Sequence, residues 1–117
     1  MSSHTKLLHT VKGDIPIDLK IPNHGSILVI SKSQRYLTHL IHKYPAKFIP
    51  EYPRWAIQKF AGNKTNLVLD PFCGSGTTNV EAKLAGYDSC GIDVDPLAIL
   101  LTKVKTTNLN EKKVRTL

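Results

Sequence analysis

Short apolar runs, separated by turns rich in glycine and proline, make up the pattern along this chain. Two β-branched runs stand near the start, IPIDLKI at 15–21 and SILVI at 26–30, and the turn-forming sequence PNHG separates them. We expect these runs to pair as an N-terminal β-hairpin within residues 14–31. Residues 1–12 are polar and basic without a clear period, which is typical of a loose terminus.

Residues 34–50 form a dense stretch of His, Tyr, Lys and Pro side chains with few helix signals. Pro45 and Pro50 would break a continuous helix, so we expect mostly an ordered loop here. After this loop, Pro53 is suited to a first helical turn, and apolar residues recur up to Phe60, shortly before a glycine. That pattern predicts a helix of about 9 residues.

The second half of the chain alternates apolar strands with helices. The run NLVLD at 66–70 predicts a strand that ends in an acid, and a glycine-rich loop follows it. Good helix formers occupy 77–84, a second short strand covers 88–93, and another helix begins at Pro96. The order strand, loop, helix, strand and helix is that of a βαβ unit in a doubly wound α/β fold, whose strands are parallel.

Length and composition limit the possible classes of protein. A chain of 117 residues with 41% hydrophobic content can form one compact domain but not two ordinary ones. It has no apolar run of membrane-spanning length, and its first residues lack the apolar core of a secretory signal. The 2 cysteines do not make a disulfide framework. We therefore expect a cytoplasmic protein with free thiols and no membrane partner.

The net charge of +7 is unevenly distributed. Residues 1–60 carry 9 basic and 3 acidic side chains, and residues 103–117 carry 5 and 1. Between them, residues 61–102 carry 2 basic and 5 acidic side chains. A basic periphery favours contact with a polyanion such as nucleic acid, although ordinary solubilising lysines would give the same excess.

The main candidate site is the sequence DPFCGSGTT, which runs from Asp70 to Thr78 directly after a predicted strand. Glycines there allow a tight turn and the close approach of a ligand to the backbone. Asp93 follows at the end of the next strand, where a carboxylate can accept hydrogen bonds from both hydroxyls of a ribose. Together these features predict a pocket for an adenosine-containing cofactor at the carboxyl edge of a parallel sheet.

Other ligands fit this sequence poorly. No lysine follows Gly76, as a Walker-type phosphate loop requires. Asn79 occupies the third position of a dinucleotide fingerprint, and Asp70 would repel a pyrophosphate, whereas it would attract a cationic sulfonium. His39 and His42 have the spacing of a metal pair, but no other Cys or His completes a site, so we predict no metal.

The sequence resembles the amino-methylating DNA methyltransferases, which transfer methyl from S-adenosylmethionine to an exocyclic amine of adenine or cytosine. DPFCGSGTT is similar to their cofactor loop, and GIDVDP at 91–96 is similar to their ribose-binding strand end. The sequence HKYPAKFIPEYPRWAIQKF at 42–60 is similar to their upstream cofactor motif. The resemblance implies a partial Rossmann-like methyltransferase fold. Residues 1–34 would be an N-terminal extension with the hairpin, and residues 35–117 the S-adenosylmethionine-binding part.

The resemblance also implies roles for individual residues. Asp70 would lie beneath the sulfonium or the α-ammonium group, and Asp93 would hold the ribose hydroxyls. Thr77 and Thr78, at a helix start, would face the cofactor carboxylate, and Val94 would touch the adenine. The expected cofactor-binding residues are Ala46, Lys47, Phe48, Asp70, Pro71, Phe72, Gly74, Ser75, Gly76, Thr77, Thr78, Asp93 and Val94.

Members of this family also carry a catalytic Pro-Pro-aromatic motif, and no Pro-Pro pair occurs in this sequence. We therefore assign no catalytic residue, and we interpret Cys73 as a small loop residue rather than a nucleophile. The hypothesis is that the chain is the cofactor-binding portion or subunit of a site-specific DNA methyltransferase, as in restriction-modification, and is inactive alone. A second polypeptide, or self-association, would complete the enzyme that acts on DNA.

Several alternatives stay open at this point. A natural split enzyme, a truncated gene product and a fragment would all have this sequence pattern. The chain could also be a non-catalytic module that binds nucleic acid or protein on a decayed methyltransferase fold. A third alternative is part of an RNA methyltransferase, because related cofactor loops serve RNA enzymes.

Overall fold

The computed structural model describes residues 8–21, 25–31 and 48–108. Within these ranges the strands form two separate parallel pairs, and the helices all follow Pro50. In chain order the elements are β1 (Leu8–Lys12), β2 (Ser26–Ile30), α1 (Glu51–Phe60), β3 (Val68–Asp70), α2 (Thr77–Leu84), β4 (Ser89–Gly91) and α3 (Pro96–Thr106). No helix in the described part of the chain is long and apolar enough to cross a membrane.

The predicted βαβ unit is confirmed. β3 and β4 are parallel neighbours, with Val68 opposite Ser89 and Asp70 opposite Gly91. The intervening helix α2 packs against both strands, and it also contacts α1 and α3. The carboxyl ends of β3 and β4 therefore lie side by side at one edge of the sheet, where the glycine-rich loop leaves β3.

Local signals explain where the helices begin. α1 starts at Glu51, so Pro53 lies in its first turn, where a missing N–H group costs no helical hydrogen bond. Asp95 caps α3, because its Oδ1 accepts a hydrogen bond from the backbone N–H of Leu97 at 2.9 Å. Pro96 occupies the first helical position behind this cap. The helix predicted to end before Gly62 and the helix predicted from Pro96 are both present.

A small, partly polar core joins the helices. Val80 and Ala82 of α2 and Ala98 of α3 are buried. Glu81 of α2 is buried as well, and Arg54 of α1 donates from Nε to its Oε2 at 2.9 Å. This ion pair connects α1, which forms the second half of the upstream motif, to α2, which follows the glycine-rich loop.

The predicted N-terminal hairpin is wrong. β1 lies within the stretch expected to be a loose terminus, and it pairs with β2 in parallel rather than antiparallel. Only the second of the two apolar runs forms a strand. Pro16 stands inside the first run, where it fixes φ and removes a backbone donor, so residues 15–21 are unsuited to a ladder of hydrogen bonds. This run belongs instead to the crossover that parallel strands require.

Residues 13–21 lie along α1. The carbonyl of Pro16 accepts a hydrogen bond from Nε1 of Trp55 at 3.1 Å, and the carbonyl of Leu19 accepts one from Nζ of Lys59 at 2.9 Å. Side chains of α1 thus satisfy backbone acceptors that a hairpin partner would otherwise have paired.

Candidate functional site

The glycine-rich loop, residues 71–76, continues the pairing between the two strands beyond their ends. The backbone N–H of Ile92 donates to the carbonyl of Asp70 at 2.9 Å, and the N–H of Cys73 donates to the carbonyl of Ile92 at 2.9 Å. A tight turn follows, in which the N–H of Gly76 donates to the carbonyl of Cys73 at 2.7 Å. The loop is therefore fixed at the carboxyl edge of the sheet, as predicted.

Gly76 is required by its surroundings as well as by its backbone angle. Its φ of 77° lies in the left-handed region, and a Cβ at this position would be 2.6 Å from Oγ1 of Thr102. Gly76 therefore lets α2 begin directly beneath the loop, against α3. It is buried and serves the shape of the loop.

Asp93 connects the end of β4 to the loop. Its Oδ2 accepts a hydrogen bond from the N–H of Gly74 at 2.8 Å, and its Oδ1 accepts one from the N–H of Asp95 at 2.9 Å. These hydrogen bonds, that from Asp95 first, hold the pKa of Asp93 below its ordinary value. A carboxylate has about four acceptor positions, so each oxygen keeps capacity for a further donor such as a ribose hydroxyl.

Asp70 and the loop border a cavity of about 300 Å³. The Asp70 carboxylate accepts a hydrogen bond from the N–H of Phe72 at 3.1 Å, which closes a short turn at the start of the loop. One residue from outside the loop region, Phe48, also lines the cavity. The described lining residues are Phe48, Asp70, Phe72, Cys73, Gly74, Ser75, Thr77 and Thr78.

Three large apolar side chains near this loop are exposed. Phe72 is 87% exposed, Val94 is 100% exposed and Phe48 is 56% exposed. The ring of Phe48 stacks on Tyr52 in the first turn of α1, with 5.6 Å between ring centroids. Apolar surface clustered beside polar acceptors is typical of a ligand site, because a bound ligand would remove it from water.

The structure thus brings most of the predicted site residues to one place. Seven of them line the cavity, and Asp93 contacts the loop through Gly74. Pro71 and Val94 are exposed at the same edge, while Gly76 lies beneath it. Ala46 and Lys47 lie outside the described residues, as do His39 and His42.

Cys73 lies within the loop but is buried. Burial raises the pKa of its thiol, and the nearby charges of Asp93 and Asp70 act in the same direction, whereas a hydrogen bond with Thr102 opposes them. A protonated thiol is a poor nucleophile.

The described residues also contain no group of three His, Cys, Asp or Glu side chains that could hold a metal ion.

Two residues that contact the loop were not predicted from the sequence. Thr102 Oγ1 donates to the carbonyl of Gly74 at 3.2 Å, and Lys105 Nζ donates to the carbonyl of Ser75 at 2.7 Å. They are spaced three apart on α3, so they share one face of that helix. The available signal in the sequence was that a threonine and a lysine lie on the face of α3 that packs against the core, where polar side chains need hydrogen-bond partners.

Comparisons with known proteins agree with this geometry. The family described as DNA methylase matches residues 20–103. M.MjaII, a type II methyltransferase of Methanocaldococcus jannaschii, is 34% identical over 88 residues, which is 75% of this chain and 16% of that protein. M.MvaI of Kocuria varians is 34% identical over 87 residues, 73% of this chain and 19% of that protein. The chain therefore spans less than a fifth of the length of these relatives.

Solved structures show the same fold. The M1.HpyAVI–SAM complex has 26% sequence identity and a TM-score of 0.55, and the match covers 70% of this chain and 38% of that one. The cytosine-N4-specific PvuII DNA methyltransferase has 23% identity and a TM-score of 0.57, over 77% of this chain and 35% of that one. The predicted partial methyltransferase fold is confirmed.

Proposed function

The chain belongs to the N6/N4 DNA methylase family, and we propose that its described residues bind S-adenosylmethionine at the loop between β3 and α2. The resemblance inferred from the sequence is thereby confirmed, and so is the cofactor of the family, S-adenosylmethionine. The observation that carries the proposal is the position of Asp93. One carboxylate joins the glycine-rich loop to the end of β4 and still keeps acceptor capacity.

The proposed site divides the cofactor between two groups of residues. Asp93 accepts hydrogen bonds from the ribose hydroxyls, and the exposed Val94 side chain covers one face of the adenine. The cavity beside the loop receives the methionine end, with Asp70 near its cationic groups. The remaining proposed contacts to that end come from Ala46, Lys47, Phe48, Pro71, Phe72, Gly74, Ser75, Thr77 and Thr78. Gly76, which is buried beneath the loop, contributes its shape rather than a contact.

The reaction that we propose for the whole enzyme is methyl transfer to an exocyclic amino group of adenine or cytosine at specific DNA sites. Bound S-adenosylmethionine would supply the methyl group, which its sulfonium makes electrophilic. This chain spans less than a fifth of the length of M.MjaII and M.MvaI, so we place the groups that recognise DNA and hold the extruded base in further polypeptide. The chain by itself is then inactive.

We also propose that the enzyme acts in the cytoplasm as part of a restriction-modification system. The division of the chain at residue 34 into an N-terminal extension and a cofactor-binding part stays a prediction.

Two apolar surfaces support the need for further polypeptide. A groove of about 670 Å³ runs between α1 and β3, and its lining includes Ile57, Phe60 and Leu69. The exposed side chains of Leu69 and Cys90 lie opposite each other on one face of the β3–β4 sheet. Parallel sheets are almost always covered on both faces. We propose that strands and helices of the remaining methylase core, carried by a second polypeptide, cover both surfaces.

The cofactor proposal is tested by calorimetric titration of S-adenosylmethionine into the chain and its Asp93→Ala variant. We expect the variant to bind about 100-fold more weakly, because two hydrogen bonds to a charged acceptor are lost. Asp88→Ala is the matched control, since Asp88 is an exposed acid beside the other end of β4. Binding by the Asp93→Ala variant at wild-type affinity would contradict the assignment.

The same preparation distinguishes the alternatives. A chain that ignores S-adenosylmethionine but binds DNA in a salt-sensitive way would be a non-catalytic module on the methylase fold. If the completed enzyme methylates RNA rather than DNA, the proposed DNA substrate is contradicted, but the proposed cofactor site is not. A measurement of mass in solution separates a second polypeptide from a second copy of this chain.

A further inference from the structure

The back of the glycine-rich loop is held by α3. Thr102 Oγ1 donates to the carbonyl of Gly74, and Lys105 Nζ donates to the carbonyl of Ser75. The next residue, Gly76, approaches the same helix so closely that there is no room for a Cβ. Three consecutive loop residues therefore contact one turn of α3.

Lys105 is buried where it contacts the loop. The residue is only 5% exposed, and lysine is almost never buried to this degree unless it is paired. An apolar side chain could fill the same space without the cost of desolvating an ammonium group. The hydrogen bond to the Ser75 carbonyl is charge-assisted and lies away from water, which strengthens it.

The hydrogen bond from Thr102 also fixes the direction of an N–H group on the other side of the loop. The peptide bonds of the described residues are trans, so a carbonyl and the N–H group that follows it point in opposite directions. With the Gly74 carbonyl turned toward α3, the N–H of Ser75 points away from α3. The cavity lies on that side, since its described lining includes no residue of α3.

We infer that Thr102 and Lys105 are positioning residues for the methionine end of the cofactor. The inference rests on the proposed function, because it requires S-adenosylmethionine to bind at this loop. By holding the Gly74 carbonyl, Thr102 keeps the N–H of Ser75 directed at the carboxylate end of the ligand. Lys105 holds the carbonyl of the next peptide, whose N–H, that of Gly76, donates to the Cys73 carbonyl, so Lys105 fixes the turn that carries the Ser75 N–H. The adenosine end depends instead on Asp93.

The test compares two ligands and four variants by calorimetry. S-adenosylmethionine carries the amino-acid end, and 5′-methylthioadenosine lacks it. Lys105→Met keeps the apolar stem but removes the ammonium group, and Lys105→Arg keeps a charged donor. Thr102→Val keeps the shape of the side chain but removes its hydroxyl. Lys103→Met is the matched control, because Lys103 lies on the same helix and is exposed. Each is measured on the full chain with any polypeptide that co-purifies.

We expect Lys105→Met to weaken S-adenosylmethionine binding about tenfold, while the affinity for 5′-methylthioadenosine changes by less than about twofold. Thr102→Val should act in the same direction by about threefold, Lys105→Arg should retain most of the affinity, and Lys103→Met should change neither ligand.

Unchanged S-adenosylmethionine affinity in the Lys105→Met variant would overturn the inference. Equal weakening of both ligands together with a lower melting temperature would also overturn it, since that result indicates a purely structural role. If the Lys105→Met variant does not fold, the affinities of the Thr102→Val variant for the two ligands test the inference in the same way. A wild-type chain that binds no S-adenosylmethionine is a different result, because it removes the proposed function itself.

Discussion

Gly76 and Gly86 share a backbone conformation but differ in what surrounds them. Their φ angles are 77° and 78°, so a side chain at either position is strained. A Cβ at Gly76 would meet Oγ1 of Thr102 at 2.6 Å, whereas one at Gly86 would find only the flexible end of Lys64, at 3.9 Å. Gly76 therefore carries a packing constraint that Gly86 lacks, and the pair separates the two effects.

Gly76→Ala should lower the free energy of unfolding more than Gly86→Ala. We expect a loss of about 3 kcal/mol for the first, because overpacking against α3 adds to the backbone strain, and about 1 kcal/mol for the second. Urea unfolding of both variants beside the wild type measures the difference. Equal losses would show that α3 moves away from the loop at no cost.

Individual site residues differ in how far the sequence predicts them. Asp70, the loop glycines and Asp93 follow from a short motif and a strand end, because each acts through its own local backbone. Thr102 and Lys105 lie 28 and 30 residues from the carbonyls that they hold. Only the packing of α3 behind the loop brings them together, and no local pattern determines that packing.

The elements of the second half were predictable because their signals agree with one another. Acids end both strands, Pro and Asp begin α3, and the helix formers of 77–84 stand directly after the glycines. Asn79 is the exception, since a bulky polar residue there argues against close packing of helix and strand. In the structure the strand, rather than the helix, carries the small residue that permits close packing. That residue is Gly91, where a Cβ would lie 3.0 Å from Asn79 Oδ1.

The N-terminal elements were not predictable from alternation alone. The run at 15–21 reads as a strand, but its preference is overridden by Pro16 and by the hydrogen bonds that α1 donates to its carbonyls. β1 has a weaker apolar pattern and forms a strand through its pairing with β2. Strand preference depends on such neighbours more than helix preference does.

The ion pair between α1 and α2 helps to hold these two helices against each other. Arg54 donates from Nε to Oε2 of Glu81 at 2.9 Å and from Nη2 to Oε1 at 3.4 Å. The Glu81 side chain is 1% exposed and that of Arg54 is 26% exposed. Because Phe48 lies shortly before α1 and α2 begins with Thr77, this pair connects two elements that border the cavity.

Arg54→Met should destabilise the protein by about 3–5 kcal/mol, because it removes the guanidinium that compensates a buried carboxylate. Glu81→Gln in the same chain should recover much of that loss, since the buried charge is then gone. Thermal and urea unfolding of the single and double variants give the coupling energy as a double-mutant cycle. Strictly additive losses would indicate that the pair contributes no interaction of its own.

The described residues as a whole form one side of a layered fold. α2 covers one face of the β3–β4 sheet, and α1 and α3 pack against α2. Leu69 and Cys90 stand on the other face and are exposed. The apolar run at 66–70 predicted a strand that ends in an acid, but what covers its second face lies outside the described residues. The proposed partner is therefore expected to cover this face of the sheet as well as the groove between α1 and β3.

Cys90 is a built-in probe of that surface. In the isolated chain we expect iodoacetamide to modify Cys90 readily and Cys73 slowly, because only Cys73 is buried and its thiol has a raised pKa. In the assembled methylase, the polypeptide that covers the sheet should slow modification of Cys90 by at least about tenfold, since the thiol then becomes accessible only through local opening. Mass spectrometry of timed samples follows both thiols, and Cys73 serves as the internal reference. If Cys90 reacts equally fast in the assembled enzyme, the rest of the methylase core does not pack on this face.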